Sequence, residues 1–297
     1  MGGALHAPAK QRLADPQTGK PDNEMPRQLS KDTTLCMSLS ARPSNFGTRF
    51  HNYLYKALGL DYIYKAFTTK DLSAAIGGVR ALGIRGCAVS MPFKEACMAL
   101  VDEIDASASV IESVNTIVNT EGRLKAYNTD YLAVSALLND GRISPSMPFA
   151  LRGSGGMAKA VVCALKNSDF RDGVIVARNE VAGRALAERY GYAWQTEPKG
   201  LQSGLLINVT PIGMAGATEA DALPFDRADV AAAQAVFDVV AMPPETPLIR
   251  LARALGKPVI TGAEVFAIQA VEQFVLYTGV RPDEALFQQA AAFARGE

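Results

Sequence analysis

The sequence predicts an α/β protein of two domains with a cleft between them, each domain built on a mostly parallel sheet with helices on its faces. Three observations carry this reading. Short apolar runs alternate with amphipathic stretches through both halves of the chain; a two-proline segment, 143–148, separates the halves; and a glycine-rich turn opens the second. With 297 residues, 48% of them hydrophobic and 20% charged, the chain can bury a core in each domain.

Residues 1–31 are polar, with prolines at 8, 16, 21 and 26 and no sustained periodicity, and read as a mobile tail, a candidate to order against a partner subunit. A strand over 35–39 then runs into the turn-rich Ser40-Ala41-Arg42-Pro43-Ser44-Asn45-Phe46-Gly47, a candidate ligand wall. A helix over 50–58, a strand over 62–67, a helix over 71–82 and a strand over 84–89 follow. Such alternation places ligands at the carboxyl ends of the strands. Ser90-Met91-Pro92-Phe93-Lys94 sits at one of these ends, with Pro92 placed to open the next helix. Residues 105–112 read as a helix, 114–118 and 124–127 as hairpin strands about Asn119-Thr120-Glu121-Gly122, and Asp130 as the start of a helix ending near Gly141.

In the second half, a strand over 149–151 enters Gly153-Ser154-Gly155-Gly156-Met157-Ala158, a G-x-G-x-x-A turn. The helix after it carries Met157, Ala160, Val161, Ala164 and Leu165 at helical spacing, and a strand over 174–177 completes a βαβ unit of the Rossmann kind. Gly153 permits the tight turn, Gly155 lets backbone approach a pyrophosphate, and the small Ala158 lets helix pack on strand. Phosphate then faces the helix N-terminus. Strands over 205–209 and 236–240 follow, and the turn Thr210-Pro211-Ile212-Gly213 is placed to border a nicotinamide. Thr246-Pro247 caps a helix stopped by Gly256, and two closing helices, 263–277 and 282–295, are expected to pack back on the first domain. The domains are therefore 32–141 with 263–297, for substrate, and 148–262, for a dinucleotide.

Composition narrows the chemistry. Thirty basic residues balance thirty acidic ones, which removes the charge footprint of a nucleic-acid or membrane-surface binder and makes a small molecule the default partner. Cys36, Cys87, Cys97 and Cys163 are scattered with no C-x-x-C pair, and only His6 and His51 are histidines, so no metal site, disulfide framework or histidine triad is expected. No apolar run reaches a membrane span and the start lacks a signal-peptide core, so the expected location is the cytoplasm. Cys87 and Cys97 read as small core residues, and His51 as a structural residue near the cleft.

Lys94 and Asp130 lie on turns at element ends, where a lysine and an aspartate brought together can move a proton and orient a polyol while a cofactor carries the electrons. Alone, each reads as a solvated lysine or a helix cap. Ser38 and Ser40 alternate with Met37 and Leu39, so they either decorate the polar face of a strand or meet a ligand. At the end of the second Rossmann strand an acidic residue would bond the ribose of NAD; here Ala177 is followed by Arg178 and Asn179, which favours NADP, with NAD as the alternative.

The combination Ser38-x-Ser40, Pro92-Phe93-Lys94, Val114-Asn115-Thr116, Asn128-Thr129-Asp130, Gly153-x-Gly155-Gly156 and Gln269-Ala270 resembles the shikimate dehydrogenase family over nearly all the folded chain. Met37-Ser38-Leu39-Ser40-x-Arg42-Pro43-Ser44-Asn45-Phe46 and Val239-Val240-Ala241-Met242-Pro243 resemble its shikimate dehydrogenase-like branch. The resemblance implies reversible reduction of a 3-dehydroshikimate-type ketone by NADPH, with Lys94 and Asp130 as the catalytic pair. It also implies Ser38 and Ser40 on the substrate carboxylate, Asn115 and Gln269 on ring hydroxyls, and Ser90 where a threonine is common. Gly153, Ser154, Gly155, Gly156, Met157, Ala158, Arg178, Asn179, Thr210 and Gly213 would hold the cofactor. The chain departs from the family pattern at Ala241, where a tyrosine is usual, at Val265, where a methionine is usual, and at Ala182, where a second arginine is often found, with Arg184 nearby. Two rivals are an NAD-dependent quinate- or aminoshikimate-type dehydrogenase and a nucleotide-binding regulatory protein with little turnover. A homodimer is the candidate assembly.

Overall fold

The computed structural model describes residues 29–296 apart from 110 and 202, so the expected tail falls almost wholly outside the described residues. Strands β1 (Thr34–Leu39), β2 (Tyr62–Phe67), β3 (Gly86–Val89), β4 (Glu103–Ile104), β5 (Thr116–Thr120) and β6 (Arg123–Tyr127) form one sheet in the order β2-β1-β3-β5-β6-β4. β1 pairs parallel with β2 and β3, while β5 runs antiparallel to β3 and β6, so the sheet is mixed. The β5–β6 hairpin turns at Glu121 and Gly122, both at positive φ, and the Asn119 side chain accepts from the Gly122 N–H at 2.8 Å. Helices α1 (Phe46–Ala57), α2 (Leu72–Ala81) and α3 (Ala106–Ser109) connect these strands, and α4 (Thr129–Leu138) leads from β6 toward the second sheet.

The second sheet is wholly parallel. It contains β7 (Phe149–Arg152), β8 (Gly173–Val176), β9 (Ala193–Gln195), β10 (Leu205–Asn208), β11 (Ala235–Asp238) and β12 (Val259–Thr261), in the order β12-β11-β10-β7-β8-β9. Its interior strands β10 and β11 are buried along their whole length, as strands covered by helices on both faces must be. Helices α5 (Gly156–Asn167), α6 (Glu180–Tyr190), α7 (Arg227–Ala232) and α8 (Pro247–Ala254) supply that cover. The strand order reverses between β7 and β10, the place where such sheets open a crevice.

The chain then enters α9 (Gly262–Thr278) through a capping box, in which the Thr261 hydroxyl accepts from the Glu264 N–H and the Glu264 carboxylate accepts from the Thr261 N–H. α9 and α10 (Glu284–Arg295) return to the first sheet: Phe274, Tyr277 and Ala290 share a buried cluster with Phe50, Leu54 and Tyr55 of α1.

Several local expectations change. α1 begins at Phe46 rather than 50, because Phe46 packs on Phe50 with ring centroids 5.8 Å apart and on Phe266 at 4.7 Å, and these contacts draw the turn-rich residues into the helix. Pro92 opens no α-helix: it follows a cis peptide bond from Met91, and the chain goes on into a 3-10 helix, Ala96–Leu100. The helix expected over 105–112 is the four-residue α3. The elements α6, α7, β4, β9 and β12 were not foreseen.

Candidate active site

A cavity of about 760 Å³ lies where the carboxyl ends of the two sheets face each other. Backbone bonds fasten its first wall. The Lys94 carbonyl accepts from the Val114 N–H at 3.1 Å, the Asn115 carbonyl from the Val89 N–H at 2.7 Å, and the Leu39 carbonyl from the Ser90 N–H at 2.9 Å. Asn128 caps α4, its oxygen accepting from the Tyr131 N–H at 3.0 Å while its amide donates to the Ser113 carbonyl at 2.8 Å. The loops bearing Lys94, Asn115 and Asp130 are thus tied to one another. Lys94 Nζ meets Asp130 Oδ2 at 2.5 Å, with both side chains largely shielded yet open to the cavity.

Asn115 is buried, and its Oδ1 accepts from the Thr116 hydroxyl at 2.9 Å and from the N–H and hydroxyl of Thr129 at 2.8 and 3.1 Å. Its Nδ2 has no partner among the described residues. A buried amide donor on a cavity wall left without an acceptor costs free energy unless a ligand oxygen or a water supplies one. Ser38, Ser40, Ser90 and Gln269 line the same side. Gln273, one helical turn after Gln269, donates to the Asn115 carbonyl at 3.3 Å and to the Thr116 hydroxyl at 3.0 Å, locking α9 to this wall.

The opposite wall is the glycine-rich turn. Gly153 has φ +128°, and a Cβ there would stand 2.7 Å from Val209 Cγ2, so the approach of β7 to β10 at the crevice requires glycine. Gly155 is the N-cap of α5, and a Cβ on it would meet no other protein atom within 4 Å, which leaves this backbone open to a ligand. The first N–H groups of α5 have no partner within the helix and can bind phosphate oxygens. These residues fit a pyrophosphate. Ser154, Gly156, Met157, Arg178, Asn179 and Thr210 line the cavity as well. The Thr210 loop is held by Asn208, whose oxygen accepts from the Thr210 hydroxyl at 2.6 Å and whose amide donates to Ile212 and Asp238.

Ala158 and Gly213 do not reach the cavity wall. Ala158 is fully buried against the sheet, where its small size allows the close packing of α5, and Gly213, at φ +87°, shapes the turn by donating to the Glu219 carbonyl at 2.9 Å. His51 is fully buried and stacks on Tyr64 with centroids 4.3 Å apart; burial pushes its pKa down to about 3, so it stays neutral and outside the wall. All four cysteines are buried thiols. Among the described residues no group of three or more metal-binding side chains occurs, and no helix is long and apolar enough to cross a membrane.

Arg42, from the turn-rich segment expected to form a ligand wall, lines the cavity, and the wall also contains residues that sequence reasoning passed over: Tyr64, Arg152, Phe266 and Gln273. Arg152 occupies the last position of β7, and its place directly before Gly153 was the available signal.

A wholly parallel nucleotide-type sheet facing a mixed sheet that carries a Lys–Asp pair defines a class, the two-domain α/β dehydrogenases. Comparison with known proteins narrows it. Residues 45–117 match the family model described as the shikimate dehydrogenase substrate binding domain. The chain is 59% identical over 267 residues to a shikimate dehydrogenase-like protein of Haemophilus influenzae, covering 90% of this chain and 98% of that one. A solved shikimate 5-dehydrogenase-like protein aligns with a TM-score of 0.87 at 58% identity, over 90% of this chain and 100% of that one. A shikimate 5-dehydrogenase of Thermus thermophilus, solved in complex with NADP(H) and shikimate, aligns with a TM-score of 0.79 at 30% identity, over 88% and 99%. The chain belongs to the shikimate dehydrogenase family.

Proposed function

We propose that this chain reversibly transfers a hydride between NADP(H) and the 3-position of shikimate/3-dehydroshikimate, or of a close cyclic hydroxy acid. The observation that carries the proposal is the Lys94–Asp130 contact of 2.5 Å, opening on a cavity whose other wall is the glycine-rich turn. In this reading residues 32–141 with 263–297 form the substrate domain and 148–262 the dinucleotide domain. Gly153, Gly155, Gly156 and the α5 N-terminus hold the pyrophosphate, and Arg178 holds the phosphate that distinguishes NADP from NAD. The Thermus relative solved with NADP(H) and shikimate supports both choices.

Bound NADPH supplies the hydride. Lys94 gives a proton from Nζ to the oxygen that becomes the hydroxyl, and in oxidation it takes that proton back. Asp130 keeps the ammonium aimed at this oxygen and accepts a hydrogen bond from the hydroxyl. The unpartnered Asn115 amide donates to a ring hydroxyl, Gln269 meets another, and Ser38 and Ser40 hold the carboxylate. Ala241 and Val265 shape the wall beside them and set which cyclic acid fits.

Absorbance of the reduced nicotinamide, followed with shikimate and with quinate against NADP and NAD, tests the proposal. Turnover of shikimate with NADP is expected. Turnover of quinate with NAD alone would replace substrate and cofactor but keep the reaction, and inertness toward every combination would leave a nucleotide-binding protein without this chemistry.

A further inference from the structure

Charge is unevenly distributed over the cavity. Its wall carries four cationic side chains, Arg42, Lys94, Arg152 and Arg178, against a single acidic one, Asp130. Lys94 and Asp130 neutralise each other at 2.5 Å, so the remaining positive charge is that of the three arginines. Arg152 closes β7 and Arg178 follows β8, which puts both on the wall of the glycine-rich turn, the wall that the proposal gives to the cofactor. Arg42 stands apart from them, on the segment between β1 and α1.

That segment is fastened at both ends. The Ser40 N–H donates to the Phe67 carbonyl at 3.3 Å and the Ala41 N–H to the Met91 carbonyl at 3.1 Å, which hold its start beside the carboxyl ends of β2 and β3. At its far end Phe46 packs on Phe266 of α9, one helical turn before Gln269, with ring centroids 4.7 Å apart. The chain from Ala41 to Phe46 therefore bridges the strand end that leads to Lys94 and the helix that carries Gln269. Pro43 stiffens the middle of the bridge, and Arg42, Pro43 and Ser44 all line the cavity. Arg42 thus belongs to the side of the cavity formed by Ser38, Ser40 and Gln269.

Arg42 is exposed, and its guanidinium makes no ion pair or hydrogen bond among the described residues. Ser38 and Ser40 are neutral and can orient an anion without compensating its charge. A guanidinium adds that charge, in a planar fork that matches a carboxylate. The one carboxylate on the cavity wall is already taken by Lys94, so the partner that Arg42 lacks must come with the ligand.

We infer that Arg42 makes this side of the cavity selective for an acid: its guanidinium pairs with the carboxylate that Ser38 and Ser40 hydrogen-bond, and the substrates are restricted to cyclic polyols that carry an anionic group. The inference deepens the reading proposed above and rests on it.

Calorimetric titration of the full chain with shikimate and with its uncharged methyl ester, in the absence of cofactor, tests the assignment. The wild type is expected to bind the acid more tightly than the ester. Arg42→Gln should weaken the acid about tenfold and leave the ester nearly unchanged; tenfold is the low end for a charge-assisted contact, as the exposure of Arg42 requires. Arg42→Lys keeps part of the preference, and Arg42→Glu turns it toward the ester. Added salt should erode the acid's advantage in the wild type and have little effect in Arg42→Gln. Equal binding of acid and ester by the wild type, equal loss on both ligands in Arg42→Gln, or no loss on either, would overturn the assignment. So would a loss that falls instead on 2′,5′-ADP, the fragment carrying the adenosine phosphates of NADP, because it would move Arg42 to the cofactor. Nicotinamide absorbance separates this failure from that of the proposed reaction. If shikimate is turned over while Arg42→Gln keeps the preference for the acid, Arg42 alone fails. If the preference follows Arg42 but no acid is turned over, the anion subsite stands and the reaction falls. A wild type that binds neither ligand removes both.

Discussion

At the scale of single residues, Lys94 and Asp130 divide one task in the proposed reaction. A general acid contributes through the proton it delivers in the transition state, so Lys94→Ala should lower kcat by about a hundredfold to ten-thousandfold. Binding of 2′,5′-ADP, which the proposal assigns to the opposite wall, should stay within about twofold. Steady-state kinetics beside calorimetry check both halves of this expectation; a wild-type kcat in the variant would remove Lys94 from the reaction. Asn115 combines two roles, because its oxygen accepts three protein donors while its amide faces the ligand side unpaired. Asn115→Ala should therefore cost stability as well as raise KM, by about 1–3 kcal/mol for the donors it orphans, measured by denaturant unfolding. Lys94 and Asp130 drew notice in the sequence because they sit on turns between apolar runs, and Asn115 entered through the family resemblance. Arg152 did neither: one arginine at the end of an apolar strand carries no periodic signal, and its proximity to Arg178 exists only once β7 and β8 pair.

At the scale of elements, Asp238 is the joint between β11, β10 and α8. It is fully buried, accepting from the Thr246 hydroxyl at 2.7 Å, the Val240 N–H at 3.1 Å and the Asn208 amide at 3.0 Å, and burial raises its pKa to about 6. Because its folded pKa lies above the unfolded value, the native state holds the proton more tightly. Its contribution to stability is complete below about pH 4 and is lost as pH rises to about 6. Asp140, whose pKa is lowered through its bonds to Arg142, acts in the opposite sense and weakens the fold as pH falls. The difference in unfolding free energy between the wild type and Asp238→Asn should therefore change by about 2–3 kcal/mol between pH 4 and pH 7, in favour of the variant at the higher pH. A flat difference would show that Asp238 keeps an ordinary pKa. The joint also explains what the sequence displayed and what it hid. Long, periodic or capped elements such as α5, α8 and α9 were plain, but β4, β9 and β12 are two or three residues long, too short for alternation to register. On α6 the buried residues are Gly183, Leu186 and Ala187, a stripe too small to stand out against its charged neighbours.

At the scale of the whole molecule, one of the junctions between the two sheets tolerates no side chain. α9 leaves β12 at Gly262, where a Cβ would lie 2.4 Å from the Val239 and Val240 carbonyl oxygens, and the same helix ends against the first sheet with Phe274 and Tyr277. Its direction is thus fixed by the second sheet at its start and by the first along its length. Along that length Gln269 faces the cavity, and Gln273 is bonded to Asn115 and Thr116. A methyl group at 262 cannot be accommodated by a flexible side chain, because the atoms it meets are backbone, so α9 must tilt or β11 must move. Gly262→Ala should then cost about 1–3 kcal/mol of stability, typical of overpacking, read as a lowered thermal midpoint. The loss of kcat/KM should exceed what that destabilisation explains at a temperature where the variant is fully folded, because the tilt displaces Gln269 and the Asn115 wall from the glycine-rich turn. Binding of 2′,5′-ADP, which the proposal assigns to the second sheet, should remain close to wild type. Equal losses in nucleotide binding and turnover would place the damage in the second sheet alone, and wild-type values in all three measurements would show that α9 does not set the spacing of the two walls.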